Sequence, residues 1–383
     1  MEIKPKNAVG TVILVLIAVE LVFIIKGNGH LEMLQSRRAR LEEAIELSNQ
    51  GVALSRQEEY PGALKLLEKA RRLAPEDSLI GENLQAVYFN SGLSQIHQGK
   101  YQEALELSGR GLKLMPEKPA LWYLRAEAWY GLGRNDSCLS CLGQAYDLNP
   151  GDSTISGLLG DLDNRCRRED GLESSQTGYF DIKFEGGENR EMADKVLFML
   201  EGIRDRQGAL FGWQAQRNIS VILYNNQQFS DITSLASWAG AAFDGKIRVP
   251  VANYREAQEV LERVLTHEFV HALLFEIGGR KFPGWFNEGL AQYQEGQRAV
   301  DHAYLPLSQL SGSFMTLERE DAQQAYRASL SAVSFLVEDN GWDMVRLFVD
   351  QMGQGGDFKG VFKASFNLSV DEFDRKWKRS IDK

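Results

Sequence analysis

Two histidines and a glutamate occur with HExxH spacing at residues 267–271 of this chain. If the stretch is helical, His267 and His271 lie one turn apart and their imidazoles project from the same face. One metal ion then fits between them, and Glu268 lies beside it as a general base. The spacing therefore predicts a zinc site that activates water. An ordinary core helix with two satisfied histidines is the alternative.

A catalytic zinc ion takes three protein ligands and keeps one position open, so a third donor is required. The chain turns at Pro283 and Gly284, and the helical segment that follows carries Glu288. We therefore predict Glu288 as the third ligand. An acidic residue at a helix N-terminus that binds no metal is its alternative, and His302 is the alternative ligand.

The residues around the motif predict the elements that position it. Residues 254–265 place apolar side chains at helical spacing, so HExxH should continue an amphipathic helix. The β-branched run at residues 218–224 predicts a strand, and residues 241–251 predict a hairpin around an Asp-Gly turn. Pro250 indicates that its strand is not central.

An extended peptide can add to the edge of such a sheet. The predicted edge for substrate binding is Ala241, Ala242 and Phe243. A hairpin with only a packing role is the alternative.

Four segments together resemble the peptidase MA-like gluzincin family: HEFVHALL, FPGWFNEGLAQY, AYRASLSAVSFLVEDNG and LSVDEFDRKW. The resemblance runs from Ile219 to Ile381. It implies a zincin-like domain that hydrolyses peptide bonds, with Glu288 as the third zinc ligand. It also implies that Glu268 takes a proton from the attacking water and returns it to the leaving amine.

Two further positions follow from this resemblance. Tyr326 stands where gluzincins often carry a tyrosine that donates to the oxyanion. Tyr293 and Tyr304 are rival donors, and a packing role for Tyr326 is the alternative. Gluzincins of the thermolysin type carry an acidic residue four positions after the glutamate ligand, where this chain has Gln292. That departure leaves the support of the metal ligands open.

The N-terminal half contains an internal repeat. Pro116 and Pro150 close two successive copies with the 34-residue period of tetratricopeptide repeats. The positions that carry the pattern are Gly51, Tyr60, Ala63, Ala70, Pro75, Gly92, Tyr101, Ala104, Ala126, Cys138 and Ala145. The resemblance covers residues 44–152, with a capping helix at 153–168, and implies a surface that binds protein partners. Helical hairpins of another type are the alternative.

Residues 8–25 form a mostly apolar run with lysines on both sides, close to the minimum length of a bilayer span. This run predicts a single uncleaved transmembrane helix. The flanking charges do not fix its orientation, and by analogy with membrane-tethered peptidases we place the catalytic domain outside the cytoplasm. A cleaved signal peptide is the alternative.

The composition excludes some functions. The 53 acidic and 43 basic residues give a net charge of -10, which offers no basic surface for nucleic acid. The predicted fold class is multidomain: a membrane anchor (1–30), an all-α tetratricopeptide-repeat solenoid (31–168), a linker (169–178) and an α+β zincin-like metallopeptidase domain (179–383).

Two functions remain open at this stage. The first is a membrane-anchored, Zn²⁺-dependent metallopeptidase whose repeats recruit a peptide or protein substrate or a protein partner. The second is a membrane-tethered repeat adaptor whose peptidase-like domain is degenerate and inactive. Intact His267, Glu268, His271 and Glu288 favour the enzyme, whereas Gln292 favours the adaptor.

Overall fold

The computed structural model describes residues 28–148, 153–186, 189–213, 218–224, 241–251, 257–299, 303–314 and 317–382. The chain divides into two compact units, and the division falls within one helix, between Asp163 and Asn164. Residues 97–99 group with the second unit.

Helices make up the first unit and continue to residue 170. They are α1 (Asn28–Arg56), α2 (Tyr60–Leu73), α3 (Ser78–His97), α4 (Tyr101–Leu114), α5 (Pro119–Gly131), α6 (Asn135–Leu148) and α7 (Ser153–Asp170). Consecutive helices pack in pairs, α1 on α2 and α5 on α6. The alanines of the predicted repeat are fully buried, namely Ala63, Ala70, Ala104, Ala126 and Ala145. The prediction of stacked helical hairpins is therefore confirmed for the described residues.

The second unit contains a five-stranded sheet in the order β1-β2-β3-β5-β4. Its strands are β1 (Glu173–Gln176), β2 (Phe180–Phe184), β3 (Ile219–Tyr224), β4 (Ala242–Phe243) and β5 (Ile247–Pro250). The three inner strands are parallel, and β1 and β4 run antiparallel at the two ends. The predicted strand and hairpin are confirmed. The prediction from Pro250 is wrong, because β5 lies between β3 and β4; as its last residue, Pro250 removes a donor only where the strand ends.

Seven helices surround this sheet or follow it in the described part of the chain. They are α8 (Asn189–Phe211), α9 (Gln258–Gly278), α10 (Gly284–Gln294), α11 (Arg319–Asn340), α12 (Trp342–Gly353), α13 (Phe358–Phe366) and α14 (Val370–Ile381). The HExxH stretch lies within α9, as predicted. Leu261, Leu265 and Phe269 of α9 are buried with the apolar side chains of β2, β3 and α8. This burial fixes which face of α9 is left for chemistry.

A buried charged cluster holds the hairpin of β4 and β5. Glu169, in the last turn of α7, accepts from Lys246 Nζ at 2.6 Å and from Arg248 Nη1 at 2.8 Å. Arg248 also donates to Asp244 Oδ2 at 3.0 Å and to the hydroxyl of Tyr224. Because buried charges are costly unless they are paired, the cluster fixes the hairpin relative to Glu169.

The predicted fold class needs two corrections. Seven of the fourteen α-helices in the described residues lie wholly in the second unit, beside one small sheet, so this unit is mainly helical rather than α+β. The reason is that no strand follows β5 in the described part of the chain, whereas six of its helices do. Part of the predicted linker is also regular structure, because residues 173–176 form β1 and pair with β2.

The prediction of a single-pass membrane protein with an extracytoplasmic catalytic domain is also corrected. No helix in the described ranges combines the length and the apolarity that crossing a bilayer requires. Residues 8–25, on which the prediction was based, lie outside the described residues.

Candidate metal centre

His267, His271 and Glu288 bring three potential metal ligands together, with one atom from each within 4.8 Å of the others. Oε2 of Glu288 lies 3.4 Å from Nε2 of His267 and 3.3 Å from Nε2 of His271. Atoms that each lie about 2.1 Å from a tetrahedral zinc ion are about 3.4 Å apart, so both distances fit this ion. The three atoms thus converge on a common point.

The other nitrogen of each imidazole faces an oxygen. His271 Nδ1 lies 3.2 Å from Oδ1 of Asn287, and His267 Nδ1 lies 3.5 Å from Oε2 of Glu295. Such contacts favour a proton on Nδ1, which leaves the lone pair of Nε2 for a metal.

The imidazoles and the neighbouring carboxylates shift one another's pKa values. Burial opposes a charge on His267, but its contacts with Glu288 and Glu295 outweigh burial and raise its pKa well above the usual range. Burial also opposes ionisation of Glu288, yet the two imidazoles lower the pKa of this carboxyl well below its usual range. Without a metal, His267 therefore holds a proton that a binding cation has to displace.

Glu268 is the buried acid next to the ligands. Burial raises the pKa of its carboxyl, against the opposing effect of both imidazoles. Its Oε2 has no hydrogen-bond partner within the described ranges. A buried carboxylate oxygen without a partner is costly, so this atom is suited to a ligand or water that enters the site.

Two aromatic residues anchor the start of α10, the helix that carries Glu288. The ring of Trp285 stacks on Phe373 at 5.8 Å, and Phe286 contacts Phe348 edge-on at 5.3 Å. Both anchors are buried. Their burial fixes the first turn of α10, and with it the position of Glu288.

Tyr326, on α11, is half-buried and packs edge-on against Phe314 at 5.3 Å. Burial raises the pKa of its hydroxyl, and the charges of Glu288 and Glu268 raise it further. The phenol therefore stays protonated at neutral pH and keeps a proton to donate.

The rival tyrosines have other contacts. The hydroxyl of Tyr304 lies 3.3 Å from Oδ2 of Asp374. The ring of Tyr293 stacks on Trp342, and the guanidinium of Arg298 lies 4.6 Å from its centroid. The hydroxyl of Tyr304 is thus engaged with Asp374, and the ring of Tyr293 lies between Trp342 and Arg298.

Sequence reasoning missed Asn287 and Glu295 and concentrated on Gln292. The side-chain amide of Gln292 donates to the carbonyl oxygens of Glu288 and Tyr326. The carboxylate that serves His267 comes instead from Glu295, seven residues after Glu288. Asn287 directly precedes Glu288, and Glu295 follows it by two helical turns. These positions are the sequence signals that could have identified both residues.

The predicted substrate edge is a terminal strand in the described sheet, because β4 pairs only with β5. Phe243 contacts Phe275 of α9 edge-on at 5.4 Å, so this strand is packed on the helix that carries both histidines. Ala241 directly precedes the strand. His302, the alternative ligand, lies outside the described residues.

Comparisons with known proteins bear on the repeats. Residues 95–162 match the tetratricopeptide repeat family, which confirms that part of the predicted resemblance. An uncharacterized protein of Bacillus subtilis (strain 168), YhcO, is 23% identical over an alignment 196 residues long, and the match covers 45% of this chain and 61% of the Bacillus protein. The chain thus covers less than two thirds of that relative.

Two solved structures were also similar. Both are of the UNC-45 chaperone: one concerns its molecular features critical for binding and folding muscle myosin, and the other is the myosin chaperone from C. elegans in complex with a Hsp90 peptide. Each is 12% identical in sequence to this chain. The matches cover 88% and 87% of this chain and 32% and 34% of the UNC-45 chains, with TM-scores of 0.26 and 0.25. Scores this low do not establish a common fold.

Proposed function

We propose that this chain is a zinc-dependent peptidase that hydrolyses peptide bonds and uses its tetratricopeptide repeats to bind a protein substrate or a protein partner. The observation that carries the proposal is the convergence of His267, His271 and Glu288, with ligand atoms within 4.8 Å of one another. The buried carboxyl of Glu268 beside them supports a hydrolytic role.

Two histidines and one glutamate with an open fourth position form a known zinc set for peptide hydrolysis. When bound, zinc supplies a Lewis acid that polarises a carbonyl and lowers the pKa of water. The surrounding residues orient the ligands: Asn287 and Glu295 each contact the Nδ1 atom of one histidine.

Glu268 moves the proton in the proposed reaction. It takes a proton from the attacking water and returns it to the leaving amine. A carboxyl with a raised pKa holds that proton more readily between the two steps, and burial raises the pKa of Glu268.

Tyr326 and β4 bind and orient the substrate in this proposal. The protonated phenol of Tyr326 donates a hydrogen bond to the developing oxyanion. The peptide lies extended along Ala241, Ala242 and Phe243, because a terminal strand has unpaired backbone groups that a substrate can bond.

A repeat adaptor with an inactive second unit is the second candidate. The observation in its favour is that the family match covers only residues 95–162, within the repeats. Protein binding by the repeats is common to both candidates. The metal content and activity of the chain separate them.

The test compares purified wild type with Glu288→Ala and Glu268→Gln. Zinc content is measured by elemental analysis after zinc is supplied and the excess removed, and hydrolysis is followed on a mixture of unstructured peptides. The proposal predicts about one zinc per chain in wild type and Glu268→Gln, sharply less in Glu288→Ala, and hydrolysis by wild type alone. If the wild-type protein binds no zinc, the peptidase is refuted and the repeat adaptor is the remaining candidate.

A further inference from the structure

Gln292 is a buried amide that joins the helix of the third ligand to the helix of the candidate oxyanion donor. Its Nε2 lies 3.2 Å from the carbonyl oxygen of Glu288 and 3.0 Å from that of Tyr326. A side-chain amide nitrogen carries two N–H groups, and each carbonyl has a second lone pair beyond its helical bond. One side chain can therefore serve both carbonyls at once.

We infer that Gln292 is a positioning residue that sets the separation of Glu288 and Tyr326; this inference rests on the proposed function. The backbone of the ligand and the backbone of the donor are linked through a single planar group. A shift of one helix along the other breaks at least one of the two bonds and leaves the buried amide of Gln292 without that partner.

An amide suits this position better than an acid does. An ionised carboxylate only accepts hydrogen bonds, so at position 292 it would face two carbonyl oxygens without a proton to share. It would also add a fourth negative charge to a site that already contains Glu268, Glu288 and Glu295. Because Glu295 already contacts His267, position 292 is free to serve as a link between helices.

The close approach of the two helices makes such a link effective. A Cβ atom added to Gly289 would lie 2.3 Å from the carbonyl oxygen of Ser329 in α11. The backbones of α10 and α11 are thus in near contact directly beside Glu288. At this spacing a two-ended amide restricts sliding more than it would between distant helices.

The first test is zinc affinity, measured on the full chain by competition with a chromophoric chelator. Gln292→Met keeps the size of the side chain but removes both donors, and Gln292→Glu is a second variant in case the first does not fold. Both should bind zinc about tenfold more weakly than wild type, the lower end of what is lost with groups that orient ligands. Gln294→Met, a half-buried glutamine on the same helix, is the matched control and should stay within about twofold.

The second readout is a double-mutant cycle on kcat with Tyr326→Phe. If Gln292 acts through Tyr326, Gln292→Met lowers kcat when Tyr326 is present. The same substitution changes kcat little in the Tyr326→Phe background. Equal losses in both backgrounds would overturn the coupling to Tyr326.

The outcomes separate this inference from the function it rests on. Wild type that binds no zinc refutes the proposed function, and the inference fails with it. Wild type that binds zinc while Gln292→Met and Gln292→Glu match its affinity overturns the inference alone, even if their melting temperatures fall, because Gln292 is then only a packing residue.

Discussion

At the scale of single residues, the imidazoles of the candidate centre are each held from two sides. Nε2 of both rings faces Glu288, and Nδ1 faces Asn287 in one case and Glu295 in the other. Oxygens on Nδ1 orient the ring and increase the basicity of Nε2. Metal affinity should therefore depend on residues that do not touch the metal.

Glu295→Gln tests this dependence. The substitution keeps the size of the side chain and a carbonyl oxygen but removes the negative charge next to His267. We expect zinc affinity to fall by about tenfold, measured by chelator competition, because charged groups of this kind typically contribute one to two orders of magnitude. Glu338→Gln, an exposed glutamate on α11, is the control. Equal zinc affinities in all three proteins would show that Glu295 does not support His267 as a metal ligand.

Tyr326→Phe separates catalysis from metal binding. The phenol donates to the oxyanion only when charge develops there, so its loss should lower kcat by about 100-fold or more. Zinc content should stay at the wild-type level because Tyr326 is not one of the three converging ligands. Tyr293→Phe removes a hydroxyl whose ring packs on Trp342 and is the matched control. A Tyr326→Phe rate equal to that of the control would leave only the packing role.

The residues that sequence could predict are those fixed by local periodicity. His267 and His271 must share a face of any α-helix, and Glu288 follows the first turn after them. The contact of Glu295 with His267 depends instead on how the end of α10 lies against α9. Such a contact depends on tertiary packing, which no local sequence periodicity reveals. The same reason explains why Gln292 suggested a missing group rather than a link between helices.

At the scale of elements, the site depends on how closely α10 approaches α11. Gly289 follows the third ligand directly, and a Cβ there would lie 2.3 Å from Ser329 O and 2.7 Å from Val333 Cγ2. A backbone oxygen on a packed helix cannot move aside as a flexible side chain can. The absence of a side chain at Gly289 therefore determines where Glu288 lies.

Gly289→Ala should move the two helices apart. Overpacking of this kind costs about 1–3 kcal/mol, so we expect a lower free energy of unfolding together with weaker zinc binding. Gly202→Ala in α8 is the control, because its Cβ would only meet Arg206 Nη1 at 3.4 Å. This control should be neutral or slightly stabilising, as alanine is in a helix interior. Chemical denaturation and chelator competition measure both effects; unchanged zinc affinity in Gly289→Ala would show that Glu288 adjusts independently of α11.

The elements themselves were predictable where their residues carry a strong local preference. The run Ile219–Tyr224 is rich in β-branched residues, and an Asp-Gly turn joins β4 to β5. The polar strand Glu173–Gln176 has neither signal and was predicted as linker, because its pairing with β2 is what makes it a strand. The prediction from Pro250 failed for a related reason. Proline is tolerated at the end of an inner strand, so its position within the strand matters more than its presence.

At the scale of the whole molecule, the chain combines a unit of helical repeats with a unit that carries the candidate metal centre. Each unit has its own buried core. The period between Pro116 and Pro150 was enough to predict the repeats, because stacked hairpins depend only on neighbours in sequence. The mainly helical character of the second unit was harder to predict from the sequence, because its long-range packing leaves no repeating pattern there.

Gly92→Ala tests whether the repeats recruit the substrate of the proposed peptidase. A Cβ at Gly92 would lie 2.4 Å from Cδ2 of the buried Leu124, so the substitution forces α3 away from α5. We expect a severalfold higher KM for a folded protein substrate and an unchanged kcat/KM for a short peptide, because the metal ligands belong to the other unit. Gly143→Ala adds a Cβ within the repeats that meets nothing within 4 Å and is the control. Equal changes on both substrates would mean that the repeats support the fold of the catalytic unit, and no change on either would remove substrate recruitment from their role.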